Sequence, residues 1–290
     1  MIVIAESGST KCDWEILDSK GTKLYSDKTV GFNPYFHSEE FIGSELNKSN
    51  DLKTHRESVS RVFFYGAGCS SDYLNQTVIN ALSSFFPNAE VSVDHDLLAA
   101  AYSLYQGKPV ISCIIGTGSN SCFFDGKKIE ESVPALGFIL GDEGSGSYFG
   151  KRLLADFFYK RLPSEMQYDF QKEFNLEWSE AVKMVYQNIH ANVYLASFMR
   201  FMAKHKDNAY VIEMVREGMA RFIDVHVTSF SRYHEYEVSF VGTISHVYRD
   251  ILEEELYKRD CKLGQIVKNP IDQLVDYHFR GESQLIPVIG

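Results

Sequence analysis

Ile4-Ala5-Glu6-Ser7-Gly8-Ser9-Thr10-Lys11 and Ile114-Ile115-Gly116-Thr117-Gly118-Ser119-Asn120-Ser121 match each other at an offset of 110 residues. Apolar residues that read as strands precede each stretch, Ile2 to Ala5 and Ile111 to Ile115. A short strand follows each, Asp13 to Leu17 and Ser121 to Phe124, before a second turn at Asp18-Ser19-Lys20-Gly21 or Asp125-Gly126-Lys127. A tight turn of Gly, Ser and Thr aims several backbone N–H groups and hydroxyls at one point, which is how phosphate oxygens are held. Either turn alone reads as an ordinary hairpin, since Gly and Ser are the usual turn formers. Repeated with their flanking strands, the two predict a duplicated nucleotide-binding fold whose phosphate turns face each other across a cleft.

The rest of the chain fits two lobes. Residues 1 to about 105 read as a strand-rich segment continued by Lys23 to Val30, a helix near Glu39 to Asn47, the strand Val62 to Tyr65, the helix Asp72 to Phe85 and the strand Glu90 to Val93. Leu97 to Tyr105 reads as a connecting helix. Strands restart at Val110. After Gly150 the pattern is helical, with Arg152 to Leu162, Trp178 to His205 and Asn208 to Tyr233, and Val238 to Val241 reads as a last buried strand. Strands followed by helices, twice, predict the α/β class. The expected division is residues 1–107 with a C-terminal helix at about 271–290 packing back, and residues 108–270.

At 290 residues the chain is long enough for one large domain or two of ordinary size, and with 44% apolar content it can bury a full core. Against 39 Asp and Glu stand 29 Lys and Arg without a long basic run, which argues against nucleic acid as a partner. Five cysteines, Cys12, Cys69, Cys113, Cys122 and Cys261, include no C-x-x-C. That usage predicts reduced thiols in the cytoplasm and neither a disulfide framework nor structural zinc. With no basic leader and no stretch of membrane-spanning length, no membrane partner is expected. There is no G-x-x-x-x-G-K-[ST], H-E-x-x-H or G-x-S-x-G motif, and Gly116 to Ser121 lacks the third glycine of a dinucleotide fingerprint.

Five segments carry a resemblance: Glu6 to Lys11, Asp96-Leu-Leu-Ala-Ala, Gly116 to Asn120, Gly137-Phe-Ile-Leu-Gly-Asp-Glu-Gly-Ser-Gly146, and Phe240-Val-Gly-Thr-Ile-Ser245. In order and spacing the set resembles the N-acetylglucosamine kinase branch, including the BadF/BadG ATPases, of the actin, sugar kinase and Hsp70 ATPase superfamily. The resemblance runs over nearly the whole chain. It implies a two-lobed actin-like ATPase fold, a duplicated ribonuclease H-like unit with an interlobe cleft. The implied activity is ATP-dependent phosphorylation of an amino sugar, N-acetylglucosamine at its 6-hydroxyl before N-acetylmuramic acid or glucosamine. A homodimer is compatible with it. An ATPase switch acting on a partner protein is the alternative of another class.

Read residue by residue, the resemblance assigns Glu6, where the family usually carries Asp, to Mg2+ through water. Ser7, Gly8, Ser9, Thr10, Lys11, Thr117, Gly118 and Ser119 are assigned to the phosphates of ATP. Asp96 would accept the proton of the attacking hydroxyl, although Asp at a helix start also reads as an N-cap, and Asp94 competes for the role. Asn33, Gly66, Asp96, Asn120, Gly137 and Asp142 would hold the sugar. Asn33-Pro34 is equally a turn initiator, and Gly141 to Gly146 also reads as a glycine-rich helix cap. Gly242, Thr243 and Ser245 would hold adenosine.

Overall fold

A computed structural model describes residues 1–279 and divides the chain into two units, Met1–Tyr105 with residues from Asn269 on, and Gln106–Lys268. In the first unit, β1 (Ile2–Ser7) and β2 (Lys11–Leu17) are almost wholly buried, whereas β3 (Lys23–Val30) is mostly exposed. The continuous apolar run Ile2-Val3-Ile4-Ala5 suits β1 to a position covered on both faces. The sheet order is β3-β2-β1-β4-β5, with β4 at Arg61–Gly66 and β5 at Glu90–His95. β1, β2 and β3 are antiparallel, while β4 and β5 run parallel to β1. Helices α1 (Glu39–Leu46), α2 (Asn50–His55), α3 (Asp72–Phe85) and α4 (Asp96–Leu104) complete this stretch. The core gathers Val3, Ala5, Trp14, Ile16, Phe32 and Phe64.

The second unit repeats the plan. Strands β6 (Val110–Ile115), β7 (Ser119–Phe124), β8 (Ile129–Glu130), β9 (Glu237–Val241) and β10 (Lys262–Val267) form the sheet β10-β9-β6-β7-β8, with the same pattern of antiparallel and parallel neighbours. The expected α/β fold, duplicated about two equivalent sheets, is therefore present. One detail of the repeat changes. β1 and β6 end at Ser7 and Ile115, and β2 and β7 begin at Lys11 and Ser119, so the turns correspond at an offset of 108, placing Gly8 over Gly116. Sliding by two keeps glycine over glycine, which is why sequence matching favours 110.

Between β8 and β10 lie α5 (Gly137–Leu140), α6 (Gly146–Phe158), α7 (Ser164–Phe174), α8 (Trp178–Tyr186), α9 (Ala191–Ser197), α10 (Met199–Lys204), α11 (Ala209–Phe222), α12 (Thr243–Val247) and α13 (Arg249–Tyr257). The expected helix Trp178 to His205 is thus three helices. Its first break is an Asx turn in which Asn188 Oδ1 accepts the N–H of His190 at 3.0 Å, a local bond that competes with the helix. The expected helix Asn208 to Tyr233 ends at Phe222 in a π turn, Ile223–Val227. Val241 does not close the last strand: β10 follows, obscured in sequence by Gly264, where its pairing with β9 shifts register.

The chain then returns to the first unit with α14 (Ile271–Phe279), which packs on α4. Tyr277 stacks on Tyr102 with ring centroids 4.2 Å apart, Tyr65 Oη lies 2.9 Å from His278 Nε2, and Lys23 pairs with Asp272. The remainder of the C-terminal helix expected to residue 290 lies outside the described residues. All five cysteines are buried and unpaired. Among the described residues no helix is long and apolar enough to cross a membrane.

Candidate active site

Parallel strands put their carboxyl ends at one edge of a sheet, where ligands bind in open α/β folds. In the first unit Ser7, Gly66 and His95 stand in register at that edge, ending β1, β4 and β5. Around them the structure gathers Glu6, the turn Gly8-Ser9-Thr10, Asn33 and Asp96. Gly8 N–H donates to Lys11 O at 3.0 Å to close the turn.

Glu6 faces Asp13 across the β1–β2 pair and is half-buried. Burial first, then the charges of Asp96 and Asp13, pushes its carboxyl up to about 8, with Lys11 opposing. Lys11 Nζ lies 2.5 Å from Asp13 Oδ2 and 3.2 Å from Asn269 Oδ1, so its charge is spent on Asp13. Asp13 is the site residue that sequence reading missed, because only strand register brings it beside Glu6. Lys28 Nζ also lies 3.4 Å from Asp13 Oδ1, so two lysines answer Asp13, and Lys11 is the cation that opposes the raised carboxyl of Glu6. Among the described residues no group of three or more His, Cys, Asp or Glu side chains is placed to hold a metal ion.

The raised Glu6 carboxyl has a consequence for stability. The native state keeps its proton up to about pH 8, whereas the unfolded chain loses it near the ordinary 4.5, so stability falls as pH rises through that window. Glu6→Gln removes the penalty. In magnesium-free buffer the variant is expected to gain on wild type between pH 5 and pH 8, by up to about 1.4 kcal/mol per pH unit. Chemical denaturation at the two pH values checks this, and parallel pH profiles would contradict it.

The structure separates Asp96 from the helix-cap role. His95 is the N-cap of α4, its Nδ1 accepting Leu98 N–H at 3.1 Å, while Asp96 is the first helical residue and half-buried. Asp94 attends to His95: its Oδ1 accepts His95 N–H at 2.8 Å and lies 3.5 Å from His95 Nε2. Asn33 heads an Asx turn, with Oδ1 accepting Tyr35 N–H at 3.0 Å. Ser7 is fully buried, and its hydroxyl bonds the backbone of Phe32 instead of facing outward.

In the second unit the N-terminus of α6 fixes the turn Gly116-Thr117-Gly118. Gly146 N–H donates to Gly116 O at 2.8 Å and Ser147 N–H to Thr117 O at 3.0 Å. Asp142, at a positive φ of 56°, lays its carboxylate against this turn. Its Oδ1 accepts Ser119 N–H at 3.3 Å, and its Oδ2 accepts the Ser147 hydroxyl at 3.4 Å. Burial raises its pKa above the ordinary carboxylate value. The Ser119 hydroxyl donates to Glu143 O at 2.8 Å and so serves the loop. Glu143 in turn lies 3.4 Å from the buried His226 on the π turn, a contact with no sequence signature.

Asn120 stands apart from this cluster, its Oδ1 accepting Ser121 N–H at 2.8 Å and its amide reaching toward Glu131. Gly137 is exposed at the start of α5. Gly242 follows β9 beside Ile115 and caps α12, with Thr243 exposed. The Ser245 hydroxyl donates to Gly242 O at 3.0 Å.

No family model matches the chain, and no curated protein matches it. Solved structures do. A protein of Porphyromonas gingivalis provisionally named an N-acetylglucosamine kinase is 34% identical with a TM-score of 0.90, over 98% of this chain and 100% of that one. A Chromobacterium violaceum protein, provisionally given the same name, is 14% identical with a TM-score of 0.68, over 95% and 98%. A ROK family glucokinase of Streptomyces griseus, solved with glucose and AMPPNP, is 15% identical with a TM-score of 0.53, over 95% and 97%. The last two matches show the fold alone.

Proposed function

The chain belongs to the N-acetylglucosamine kinase-like family of the actin, sugar kinase and Hsp70 ATPase superfamily, and from that premise we propose that this sugar kinase phosphorylates an amino sugar, N-acetylglucosamine at its 6-hydroxyl. The observation that carries the reading is the pairing, in each unit, of a Gly/Ser/Thr hairpin turn with a carboxylate held beside it: Glu6 and Asp96 in the first, Asp142 in the second.

In this reading the backbone N–H groups of Ser9, Thr10, Thr117 and Gly118 hold phosphate oxygens, while those of Gly8 and Ser119 brace the turns. Bound magnesium would neutralise charge on the transferring group, with Glu6 holding one of its waters. Asn33, with its oxygen engaged by Tyr35, meets the sugar through its amide nitrogen, joined by Gly66, Asp142, Asn120 and Gly137. Gly242, Thr243 and Ser245 take the adenosine. The sugar oxygen bonds to the γ-phosphorus as the bond to the bridging oxygen breaks, and its proton passes to Asp96. ADP leaves. Rate enhancement comes from positioning and charge neutralisation.

The test is ADP release with magnesium and ATP over a panel of hexoses and hexosamines. N-acetylglucosamine is expected to give the fastest turnover, with N-acetylmuramic acid and glucosamine slower. Turnover indifferent to every sugar would overturn the kinase reading in favour of an ATPase switch.

A further inference from the structure

Residues 31–33, just after β3, touch both the phosphate turn and the acceptor side of the first unit. The Ser7 hydroxyl accepts Phe32 N–H at 2.8 Å and donates to Phe32 O at 3.2 Å, a two-way clasp between fully buried residues. Ser7 O also accepts Ala67 N–H at 2.8 Å, tying in the turn after β4. Gly31 lies flush on the phosphate turn: a Cβ there would stand 1.9 Å from Gly8 O, closer than any side chain permits. Phe32 anchors the segment, its ring edge-on to Trp14 at 6.1 Å and stacked near Phe64 at 6.3 Å. Next along the chain, the Asn33 carboxamide rests against Gly68, where a Cβ would meet Asn33 Oδ1 at 2.2 Å.

One residue therefore joins three elements. Ser7 immediately precedes the phosphate turn, clasps the backbone one residue before Asn33, and holds the loop after Gly66. We propose that Ser7 is a positioning residue that couples acceptor binding to the Gly8-Ser9-Thr10 turn, so that a sugar on Asn33 and Gly66 sets the turn for nucleotide. This rests on the kinase reading above. The physical basis is rigidity: the segment from Gly31 to Asn33 has no slack between a buried clasp, a backbone contact and an aromatic anchor, so displacement at Asn33 is transmitted to Gly8. Coupling of this kind is reciprocal, and the nucleotide tightens the sugar by the same factor.

Titration calorimetry tests it, with a non-hydrolysable ATP analogue and magnesium titrated in the absence and presence of saturating N-acetylglucosamine. In the wild type the sugar is expected to tighten the nucleotide by a factor on the order of 5 to 150. In Ser7→Ala each ligand still binds alone, and the factor collapses toward one. Should the alanine variant fail to fold, Ser7→Cys, close in size but a weak hydrogen-bonding group, is expected to show the same collapse. Full coupling in a folded Ser7 variant, or none in the wild type when both ligands bind, would overturn the proposal alone. A wild type that binds nucleotide but no sugar would sink the kinase reading and this inference with it.

Discussion

Asp96→Asn is expected to lower kcat by on the order of a hundredfold or more, within the roughly 10²–10⁴ range for losing a general base, with the melting temperature unchanged. The reason for the second half is structural. His95 caps α4 through Nδ1, so an amide at residue 96 leaves the cap in place. Asp94→Asn gives the opposite pattern, because Asp94 steadies His95: a small loss of melting temperature with kcat close to wild type. Steady-state kinetics and thermal denaturation on both variants decide the assignment. If Asp94→Asn loses turnover while Asp96→Asn keeps it, the base is Asp94.

Gly118→Val is expected to weaken nucleotide and sugar together. A Cβ at residue 118 would lie 3.0 Å from Asp142 Oδ2 and 3.1 Å from Oδ1, so a branched side chain must push the carboxylate off Ser119 N–H and Ser147. Forcing extra carbon into such a contact typically costs about 1–3 kcal/mol, or a loss of affinity of about fivefold to 150-fold for ligands that need the displaced groups. Sequence alone points to a defect confined to the nucleotide, since it cannot show that Asp142, 24 positions along the chain, lies on Gly118. Calorimetry with each ligand separately measures the two losses, and an intact sugar affinity would mean that Asp142 does not hold the sugar.

That contrast shows what was legible in the sequence. The fold was: Ile2 to Ala5 and Ile111 to Ile115, each followed by a Gly/Ser/Thr turn, announce a duplicated sheet by local pattern, and the two sheets share one topology. Glu6, Asp96 and Asp142 were singled out by the resemblance of their segments to the kinase family, since local pattern alone also reads Asp96 as a helix cap. What these residues touch was not legible. Asp13 joins Glu6 only through strand register, and the Ser7 hydroxyl turns inward only because Phe32 is anchored by Trp14 and Phe64. His95 takes the cap because its ring nitrogen reaches Leu98, a use that the preference of helix starts for Asp hides. Helix ends failed for a related cause. Asn188 diverts a backbone N–H with its own side chain, and Gly264 blurs the alternation that would have marked β10.

The return of α14 to the first unit means that the order of translation and the order of completion differ. Met1–Tyr105 leaves the ribosome first, yet its sheet lacks the helix that covers α4 until residues 271–279 have emerged. Gln106–Lys268, made second, has every strand of its own sheet before then. A nonsense or frameshift lesion after residue 268 therefore leaves the coding of the second unit untouched and strips Tyr277, His278 and Asp272 from the first. Damage at the 3′ end of the gene is felt at the 5′-encoded half of the protein, in the unit that carries Glu6 and Asp96.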